Sequence, residues 1–486
     1  MTPSFLGIIF SFAIIAALIV ICKALQVLIR PILSPLRYVP GPPNPSIIYG
    51  HSKEFAKVGF TDLMMAWVER YGHVCHYEVF FNNEHFVTTD TRALHHILTH
   101  GDIFGKSGRT SPLLGRGLLV TEGQARSTKP RHVMNPAFGP AQIRELTSIF
   151  VEKSLQLRDI WMSKVEQNGR SARIDAVDGL GKMTLDVIGL SGFNYEFDSL
   201  NPDGKPNELN EAFNVIFREG KEKRTFLSLL EMYIPQLRRF ANMAQDIPEN
   251  QRMSDEDILA QVPTFLAAGH ESTSTATTWC LYALTQAPEV QRKLREELLG
   301  VPTDTPTMDE LNALPYLDAV ITESLRVHSP VPQTARVAKK SDVIPLGRPF
   351  VDSQGQVQHS VKVRKGTFVI IPVMAVNKCK EIWGDDAEVF RPERWEEKTP
   401  DGAASVPSVW KHIFTFLGGP RACIGYRFAL IEMKAVIFTL VRAFEFSLAV
   451  PADDIVAKSV MVRRSFVKSE MKKGAQMPLI VKPYNQ

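Results

Sequence analysis

The segment from Phe416 to Gly425 constrains this chain most, because it places a single cysteine directly behind a forced turn. Gly418, Gly419 and Pro420 require a tight and irregular backbone just before Cys423. Such a turn can direct backbone N–H groups at the sulfur, and these hydrogen bonds stabilise a thiolate and tune a metal bound to it. A lone cysteine is more often a small buried apolar residue. The turn, rather than the cysteine alone, therefore predicts a functional thiolate.

This segment resembles the cysteine loop of the cytochrome P450 superfamily, F-x-x-G-x-R-x-C-x-G, at every specified position. The matching residues are Phe416, Gly419, Arg421, Cys423 and Gly425. Five fixed positions, each at roughly one in 20, should coincide by chance in about one chain of this length in 10,000. The resemblance implies a mainly α fold with a minor β portion, the cytochrome P450 fold, in which Cys423 ligates the iron of haem b. It also implies haem contacts from Phe416, Arg421 and Gly425.

A second match lies on a predicted helix from Tyr316 to Val327, which should end there because a Ser-Pro pair follows. Glu323 and Arg326 are three residues apart and share a face, but such pairs are usually solvated and contribute little. They resemble the family's E-x-x-R motif, and Arg394 resembles its third member. Trp395 follows, where the family more often has Phe. The resemblance implies a structural Glu–Arg–Arg cluster that supports the haem-binding core.

A long helix, apolar on most faces, is predicted to open at Ser254. Its segment Ala268–Thr273 resembles the family's oxygen-activation motif, A-G-x-(D/E)-T. The resemblance implies that Glu271 and Ser272 are the catalytic acid–alcohol pair that relays protons. Serine replaces the usual threonine, so a looser relay geometry is expected. His270 occupies the variable position of the motif and is not expected to bind a metal.

The resemblance also implies contacts to the haem and to the substrate. Arg336 and Arg131 occupy positions of propionate-binding arginines, and Ala268 leaves room beside the flat cofactor. At Arg131 the match is incomplete, since Ser127 replaces the usual aromatic residue or His and Pro130 interrupts the helix. The substrate-contacting positions taken from alignment with the family are Ser111, Leu113, Phe265, Val331 and Thr334. These side chains are apolar or small, so a lipophilic substrate is expected.

The charge and the cysteine content narrow the class of protein. Lysine and arginine number 56 against 52 acidic residues, and the net charge of +4 does not favour nucleic-acid binding. Five scattered cysteines in 486 residues form no CxxC pair, which indicates a reducing compartment. Neither a long linker nor a repeat follows residue 50, so residues 51–486 are predicted to be one large haem domain.

The N-terminal segment is predicted to anchor the chain in a membrane. Residues 4–22 carry no charge, and a spanning helix needs roughly 20 such residues. Basic residues follow this run and none precedes it, which places the body of the protein in the cytosol by the positive-inside rule. The alternative is a buried core helix. We therefore expect a single-pass anchor over residues 1–30 in the endoplasmic reticulum membrane and a stiff proline-rich hinge over residues 31–50.

The segment Gly189–Tyr195 resembles mushroom-type fungal members of the family, and the combined resemblance implies a monooxygenase. Such an enzyme inserts one atom of O2 into its substrate, using electrons that a separate NADPH–cytochrome P450 reductase delivers, with cytochrome b5 as a further partner. Tailoring of terpenoids or other secondary metabolites is the favoured role, and hydroxylation of fatty acids or xenobiotics is the alternative. Two rivals are a haem-thiolate isomerase or dehydratase, which would lack the pair Glu271–Ser272, and a non-catalytic haem-binding protein.

Overall fold

The computed structural model describes residues 5–106, 131, 134–201, 255–459 and 461–484. The chain divides into two units. The first comprises Met1–Ser107, Asp318–Tyr426 and Ile455–Glu470, and the second comprises Gly108–Leu317, Arg427–Asp454 and Met471–Gln486. Helices outweigh strands across the described residues, which confirms the mainly α class with a minor sheet portion.

The elements follow in chain order. The helices are α1 (Phe5–Leu33), α2 (Ser52–Val58), α3 (Phe60–Tyr71), α4 (Thr91–Thr99), α5 (Pro140–Gln167), α6 (Ala176–Phe193), α7 (Asp255–Gln286), α8 (Pro288–Leu299), α9 (Met308–Asn312), α10 (Pro315–Val327), α11 (Val373–Asn377), α12 (Lys380–Trp383), α13 (Asp401–Ala404) and α14 (Tyr426–Ala443). The strands are β1 (Val74–Val79), β2 (Asn83–Thr88), β3 (Phe104–Lys106), β4 (Ala172–Asp175), β5 (Thr334–Ala338), β6 (Asp342–Val351), β7 (Val357–Val363), β8 (Phe368–Ile371), β9 (Phe444–Leu448), β10 (Ile455–Ser459), β11 (Arg463–Val467) and β12 (Pro478–Pro483). Short 3-10 turns at Phe414–Phe416 and Gly419–Arg421 precede α14.

The first unit is organised around a sheet whose described strands have the order β1-β2-β8-β5-β3. They pair antiparallel except β2 and β8, which run parallel. Valine, isoleucine and aromatic residues suit a pleated surface with a buried face. Met64 and Trp67 of α3 pack in one core cluster with Tyr77 of β1. This packing fixes the sheet whose strand β5 carries Thr334 and Arg336.

The second unit is built on α5, α6, α7 and α14, with a sheet in the order β4-β12-β9. Gly269 of α7 lies against α6, where an added Cβ would be 2.9 Å from Cδ1 of Ile188. The next residue, His270, has its Nδ1 3.0 Å from the Thr184 hydroxyl, and its carbonyl accepts a hydrogen bond of 3.2 Å from the same hydroxyl. The glycine therefore allows the close packing of α7 on α6, and the histidine ring is engaged by α6.

Substitution of Gly269 by alanine is expected to destabilise the protein by about 1–3 kcal/mol, because the new methyl group would overlap Ile188. The matched control is Gly181→Ala on α6, where an added Cβ would meet the His270 ring at an ordinary 3.7 Å. There the higher helix propensity of alanine should leave stability unchanged or slightly raised. Adding Ile188→Val to Gly269→Ala should restore part of the loss. Thermal unfolding measures all three, and equal effects of the two glycine substitutions would contradict the packing argument.

The N-terminal part of the chain differs from the prediction of a spanning helix. α1 covers most of the predicted anchor. Among the described residues, no helix is long and apolar enough to cross a membrane. The spanning helix predicted over residues 1–30 is therefore not supported. Its apolar run begins at residue 4, and that residue and several side chains up to residue 16 lie outside the described part. Residues 34–49 contain neither helix nor strand, whereas residues 31–33, which were predicted to belong to the proline-rich hinge, are the last residues of α1.

The two helices that carry the predicted motifs are both present. α10 ends at Val327, as the following Ser-Pro pair predicted. α7 is described from Asp255 onward, and the predicted capping residue, Ser254, lies outside the described residues. The motif residues of both helices therefore lie within the described part of the chain.

Candidate active site

Cys423 lies in an irregular loop between the 3-10 turn Gly419–Arg421 and the start of α14. A hydrogen bond of 2.8 Å from the backbone N–H of Cys423 to the carbonyl of Phe416 closes this loop. Gly418 is required before it, since an added Cβ would lie 2.1 Å from the Pro407 carbonyl oxygen. The tight turn predicted from the glycines and the proline is therefore present, and it holds the cysteine in place through the backbone.

The thiol of Cys423 differs from the core thiols of the chain. Its side chain is exposed, whereas Cys75 and Cys280 are buried, and burial raises the pKa of Cys75 to about 12. In the parts of the chain that the structure describes, no group of three or more His, Cys, Asp or Glu side chains could hold a metal ion. A haem iron can be held by the thiolate of a single cysteine.

Arg421 anchors the cysteine loop to the first unit's sheet. Its Nη1 donates to the carbonyl of Phe104 at 3.0 Å, and its Nη2 donates to the carbonyl of Gly101 at 3.2 Å. Phe104 is the first residue of β3. Arg421, which was predicted to contact the haem, thus also holds the cysteine loop against β3, a role that its sequence position did not indicate.

Glu323 accepts hydrogen bonds from two arginines in a fully buried site. Arg326 donates through Nε and Nη2 to the two carboxylate oxygens, at 2.9 and 2.7 Å. Nε of Arg394 lies 3.4 Å from Oε1 of the same carboxylate. Glu323 and Arg326 are 0% exposed and Arg394 is 5% exposed. The structure thus brings together the three residues that the resemblance assigned to one cluster, and the Glu323–Arg326 pair is bidentate.

This Glu–Arg–Arg cluster has partners that the sequence did not indicate. The indole N–H of Trp395 donates to Glu323 Oε2 at 3.0 Å, a bond that the commoner phenylalanine could not make. The backbone N–H of Arg391 donates to Oε1 at 3.1 Å. Arg326 also donates to the carbonyls of Asn377 and Val389, at 2.7 and 3.2 Å. These additional hydrogen bonds offset the cost of removing the charges from water.

Burial and neighbouring charges also shift the pKa values of ionisable groups around the cluster. Nη1 of Arg394 lies 2.8 Å from Oδ1 of Asp386, and this hydrogen bond lowers the pKa of the Asp386 carboxyl. Burial, followed by the nearby charges of Lys378 and Arg463, lowers the pKa of His328 well below its usual range. Burial also lowers the pKa of Lys378 to about 8. His328 is therefore neutral at neutral pH.

Asn377, at the end of α11, connects the cluster to the cysteine loop. Its backbone carbonyl accepts from Arg326, and its Oδ1 accepts from the backbone N–H of Phe414 at 2.7 Å. Its Nδ2 donates to Ser329 Oγ at 2.9 Å and to Thr415 Oγ1 at 2.8 Å. The side chain is 0% exposed. Sequence reasoning missed Asn377, because these partners are 37 to 51 residues away along the chain.

Replacing Asn377 with leucine is expected to lower stability by about 1–3 kcal/mol, because the buried N–H of Phe414 and the hydroxyls of Ser329 and Thr415 lose a partner. The turn that leads to Cys423 should then be less well held, and a smaller fraction of the protein should carry haem. Thermal unfolding and the ratio of haem to protein measure both effects. The matched control is Asn168→Leu, at an exposed position. An unchanged haem content in Asn377→Leu would contradict the connection to the cysteine loop.

Glu271 and Ser272 are adjacent on α7 in the second unit. Glu271 is 8% exposed, and Ser272 is half-buried with its hydroxyl donating to the carbonyl of Ala268 one turn earlier. Ser274 donates in the same way to the carbonyl of His270, at 2.9 Å. Such side-chain bonds to the preceding turn compete with the helix's own hydrogen bonds and often bend it. The segment of α7 that carries the predicted pair is thus rich in competing hydroxyls.

The remaining predicted contact residues lie on several elements. Arg336 of β5 is 4% exposed and donates to Thr334 Oγ1 at 3.4 Å and to the Ala335 carbonyl at 2.9 Å. In the second unit Phe265 stacks on Phe138, with ring centroids 5.8 Å apart. Half-buried positions are found at Arg131, Ala268, Val331, Thr334 and Gly425. Ser111, Leu113, Ser127 and Pro130 lie outside the described residues.

Comparisons with known proteins cover the whole length of the chain. The family model for cytochrome P450 matches residues 40–249 and 238–467. The chain is 49% identical to cytochrome P450 monooxygenase 205 of Postia placenta, over 100% of both chains. It is also 49% identical to cytochrome P450 monooxygenase 128 of the same fungus, over 94% of this chain and 95% of the relative. Identity to cytochrome P450 monooxygenase claO of Ampulloclitocybe clavipes is 34%, over 92% and 93% of the two chains.

The chain therefore belongs to the cytochrome P450 family. Its relatives are basidiomycete proteins named cytochrome P450 monooxygenases, which confirms the predicted kinship with fungal members and makes this chain an oxidoreductase of that class.

Proposed function

We propose that this chain is a haem-thiolate monooxygenase that inserts one oxygen atom from O2 into a lipophilic small molecule. The observation that carries the proposal is the exposed thiol of Cys423, held by a closed backbone loop and by a buried network behind it. The monooxygenase names of the full-length relatives support the same reaction class.

Cys423 would hold the iron of haem b through its thiolate. A thiolate-ligated haem iron supplies oxidative chemistry by favouring cleavage of the O–O bond. The side chains proposed to surround the haem are Phe416, Arg421, Gly425 and Ala268, with Arg336 and Arg131 pairing with its propionates. Arg336 suits this role because it is a buried cation on β5, 4% exposed, two residues after Thr334.

Glu271 and Ser272 are the proposed groups that hold and pass protons. In the structure the Ser272 hydroxyl donates to the Ala268 carbonyl. The hydroxyl must rotate away from that carbonyl before it can donate a proton elsewhere. Serine lacks the methyl group that restricts χ1 of threonine, so this rotation is easier and the hydroxyl is less firmly oriented. A looser orientation favours a larger share of reduced oxygen leaving as peroxide.

The proposed substrate class is a terpenoid or another fungal secondary metabolite. The side chains proposed to contact it are Phe265, Val331 and Thr334, together with Ser111 and Leu113. They are apolar or small, which suits a lipophilic molecule held by shape rather than by charge. Many fatty acids and xenobiotics are lipophilic as well, so the test below includes both classes.

Electrons are proposed to come from NADPH through a separate NADPH–cytochrome P450 reductase, with cytochrome b5 as a second donor. The proposed location is the endoplasmic reticulum membrane, with the haem domain in the cytosol. Exposed apolar side chains on α1 support attachment to a membrane; Ile15, Leu18 and Val20 are 53, 56 and 67% exposed. Recovery of the full chain in the supernatant after gentle lysis, without detergent, would rule this attachment out.

Co-expression with a fungal reductase, followed by product analysis under ¹⁸O2 on a panel of terpenoids, fatty acids and xenobiotics, tests the proposal. The expected result is NADPH-dependent product that carries one ¹⁸O atom, with terpenoids as the best substrates. Preferred turnover of a fatty acid or xenobiotic would overturn the substrate class alone. Rearrangement or dehydration of a peroxide that is itself the substrate, without NADPH or O2, would identify an isomerase or dehydratase. Haem incorporation without any turnover would identify a non-catalytic haem-binding protein.

A further inference from the structure

Thr184 of α6 carries a buried hydroxyl that the proposed reaction does not use. It is 1% exposed, and its Oγ1 lies 3.0 Å from Nδ1 of His270 on α7. The same Oγ1 lies 3.2 Å from the carbonyl oxygen of His270 and 3.2 Å from that of Gly181. One hydroxyl of α6 thus contacts both the side chain and the backbone of the residue that directly precedes Glu271.

The protons of the ring and of the hydroxyl can be arranged in two ways, and both keep the contact. A neutral imidazole carries its proton on either nitrogen, and a hydroxyl offers one donor and two acceptor positions. When Nδ1 is unprotonated, the Thr184 hydroxyl donates to it. When Nδ1 is protonated, it donates to Thr184 Oγ1, and the hydroxyl can then donate to the carbonyl of His270. The contact therefore joins α6 and α7 in either form of the ring.

The turn of α7 that carries Glu271 and Ser272 has hydroxyls that compete for its own carbonyls. Ser272 donates to the carbonyl of Ala268. Ser274 donates to the carbonyl of His270 at 2.9 Å and to that of Glu271 at 3.3 Å. Bonds of this kind weaken the helical ladder and favour bending. Hydroxyls of α7 cannot fix this turn relative to another helix, whereas the hydroxyl of Thr184 can.

α6 is itself held in place by buried carboxylates, so it can serve as a fixed reference for α7. Asp175 accepts from the backbone N–H of Val177 at 3.0 Å, which caps the first turn of α6, and from that of Met477 at 2.8 Å. Asp186, two residues after Thr184, accepts from the backbone N–H groups of residues 199 and 200, at 2.8 and 3.0 Å. The hydroxyl of Thr184 therefore projects from a helix that is tied to the surrounding chain at both of these points.

We propose that Thr184 and His270 form a clamp between α6 and α7 and are positioning residues for Glu271 and Ser272. The clamp holds the ring and the carbonyl of residue 270 and thereby fixes the turn from which the acid and the alcohol project. Proton transfer requires groups within hydrogen-bond reach, so a loosened turn should send more reduced oxygen to peroxide. This inference rests on the proposed function, because the pair acts only in that reaction.

The first experiment needs no turnover and measures hydrogen exchange of backbone amides in the haem-bound protein. Thr184→Val keeps the shape of the side chain and removes its hydroxyl, so the amides of residues 268–276 should exchange several-fold faster. Thr184→Ser keeps the hydroxyl and should exchange like the wild type. The amides of α8, in the same unit, serve as the internal reference. Unchanged exchange in Thr184→Val, or an equal rise in α8, would contradict a local clamp.

The second experiment measures product formed and peroxide released per NADPH. Peroxide release should rise several-fold in Thr184→Val and stay at the wild-type level in Thr184→Ser, with the reduced, CO-bound spectrum unchanged in both. The matched control is Thr99→Val, because Thr99 also contacts a histidine Nδ1, that of His100 at 3.3 Å, but at an exposed position. It should leave coupling unchanged. Wild-type coupling in Thr184→Val, or equal uncoupling in the valine and serine variants, would overturn the role of the hydroxyl.

Variants of His270 test the clamp from the other side. Asparagine can place a polar atom near the position of Nδ1, whereas leucine has a similar volume and no polar atom. His270→Leu should therefore release more peroxide than His270→Asn. The double variant Thr184→Val/His270→Leu should be no worse than Thr184→Val, which already removes both contacts. Equal coupling in the two His270 variants, or additive effects in the double variant, would contradict a shared contact.

Failure of the proposed function has a different signature from failure of this inference. A wild-type protein that forms no oxygenated product with reductase and NADPH would refute the monooxygenase. The exchange experiment would still decide whether Thr184 fixes the turn of α7. Faster exchange in Thr184→Val together with unchanged coupling would keep the monooxygenase and overturn the positioning role.

Discussion

Replacement of Cys423 by alanine is expected to abolish the long-wavelength Soret band of the reduced, CO-bound protein. This band depends on a thiolate opposite the CO, and Cys423 is the cysteine that the loop of Phe416 to Gly425 holds in place. Monooxygenase turnover should disappear with it, because the ligand that favours O–O cleavage is lost. The measurement is a reduced CO difference spectrum on protein purified with its haem.

Two further variants make the result for Cys423 specific. Cys423→Ser keeps the size of the side chain and should lose the same band. Cys22→Ala removes another exposed thiol and should leave the spectrum unchanged. Cys75→Ala would be a poorer control, because Cys75 is buried in the core of the first unit and its loss leaves a cavity. Persistence of the band in Cys423→Ala would refute the ligand assignment.

Removal of the Glu323 carboxylate should have the largest effect on stability. In Glu323→Gln the guanidinium of Arg326, which is 0% exposed, keeps its charge and loses its counter-ion. Arg394, 5% exposed, loses the same partner but keeps Asp386 at 2.8 Å. Breaking a buried ion pair in this way costs about 3–5 kcal/mol. We expect a strongly lowered melting temperature and little recoverable haem-bound protein.

An exposed ion pair provides the matched control for Glu323. Arg292 and Glu296 are one helical turn apart on α8, with side chains 58 and 61% exposed. Water already solvates both charges, so Glu296→Gln should leave the melting temperature nearly unchanged. Trp395→Phe tests the additional hydrogen bond to Glu323 and should be mildly destabilising. If Glu323→Gln were as mild as Glu296→Gln, the cluster would not support the core.

Local rules predicted the elements near the candidate site well. The Ser-Pro pair predicted that α10 ends at Val327, and the glycines before Cys423 predicted the tight turn. The positions of Glu323 and Arg326 three residues apart predicted that the two could pair, since the helical repeat places them on one face. The membrane-spanning helix predicted over residues 1–30 is not supported, since no helix of the described residues is long and apolar enough to cross a membrane.

The sequence by itself determined the loop around Cys423 and the pairing of Glu323 with Arg326, because steric limits at glycine and proline and the helical repeat act within a few residues. The motifs that these residues form also indicated the family. The tertiary structure alone decided which distant groups complete the site. Asn377 reaches Phe414 and Trp395 reaches Glu323 across 37 and 72 residues, respectively. The physical reason is that buried polar groups take whichever partners the folded chain brings to them, and no local pattern records that path.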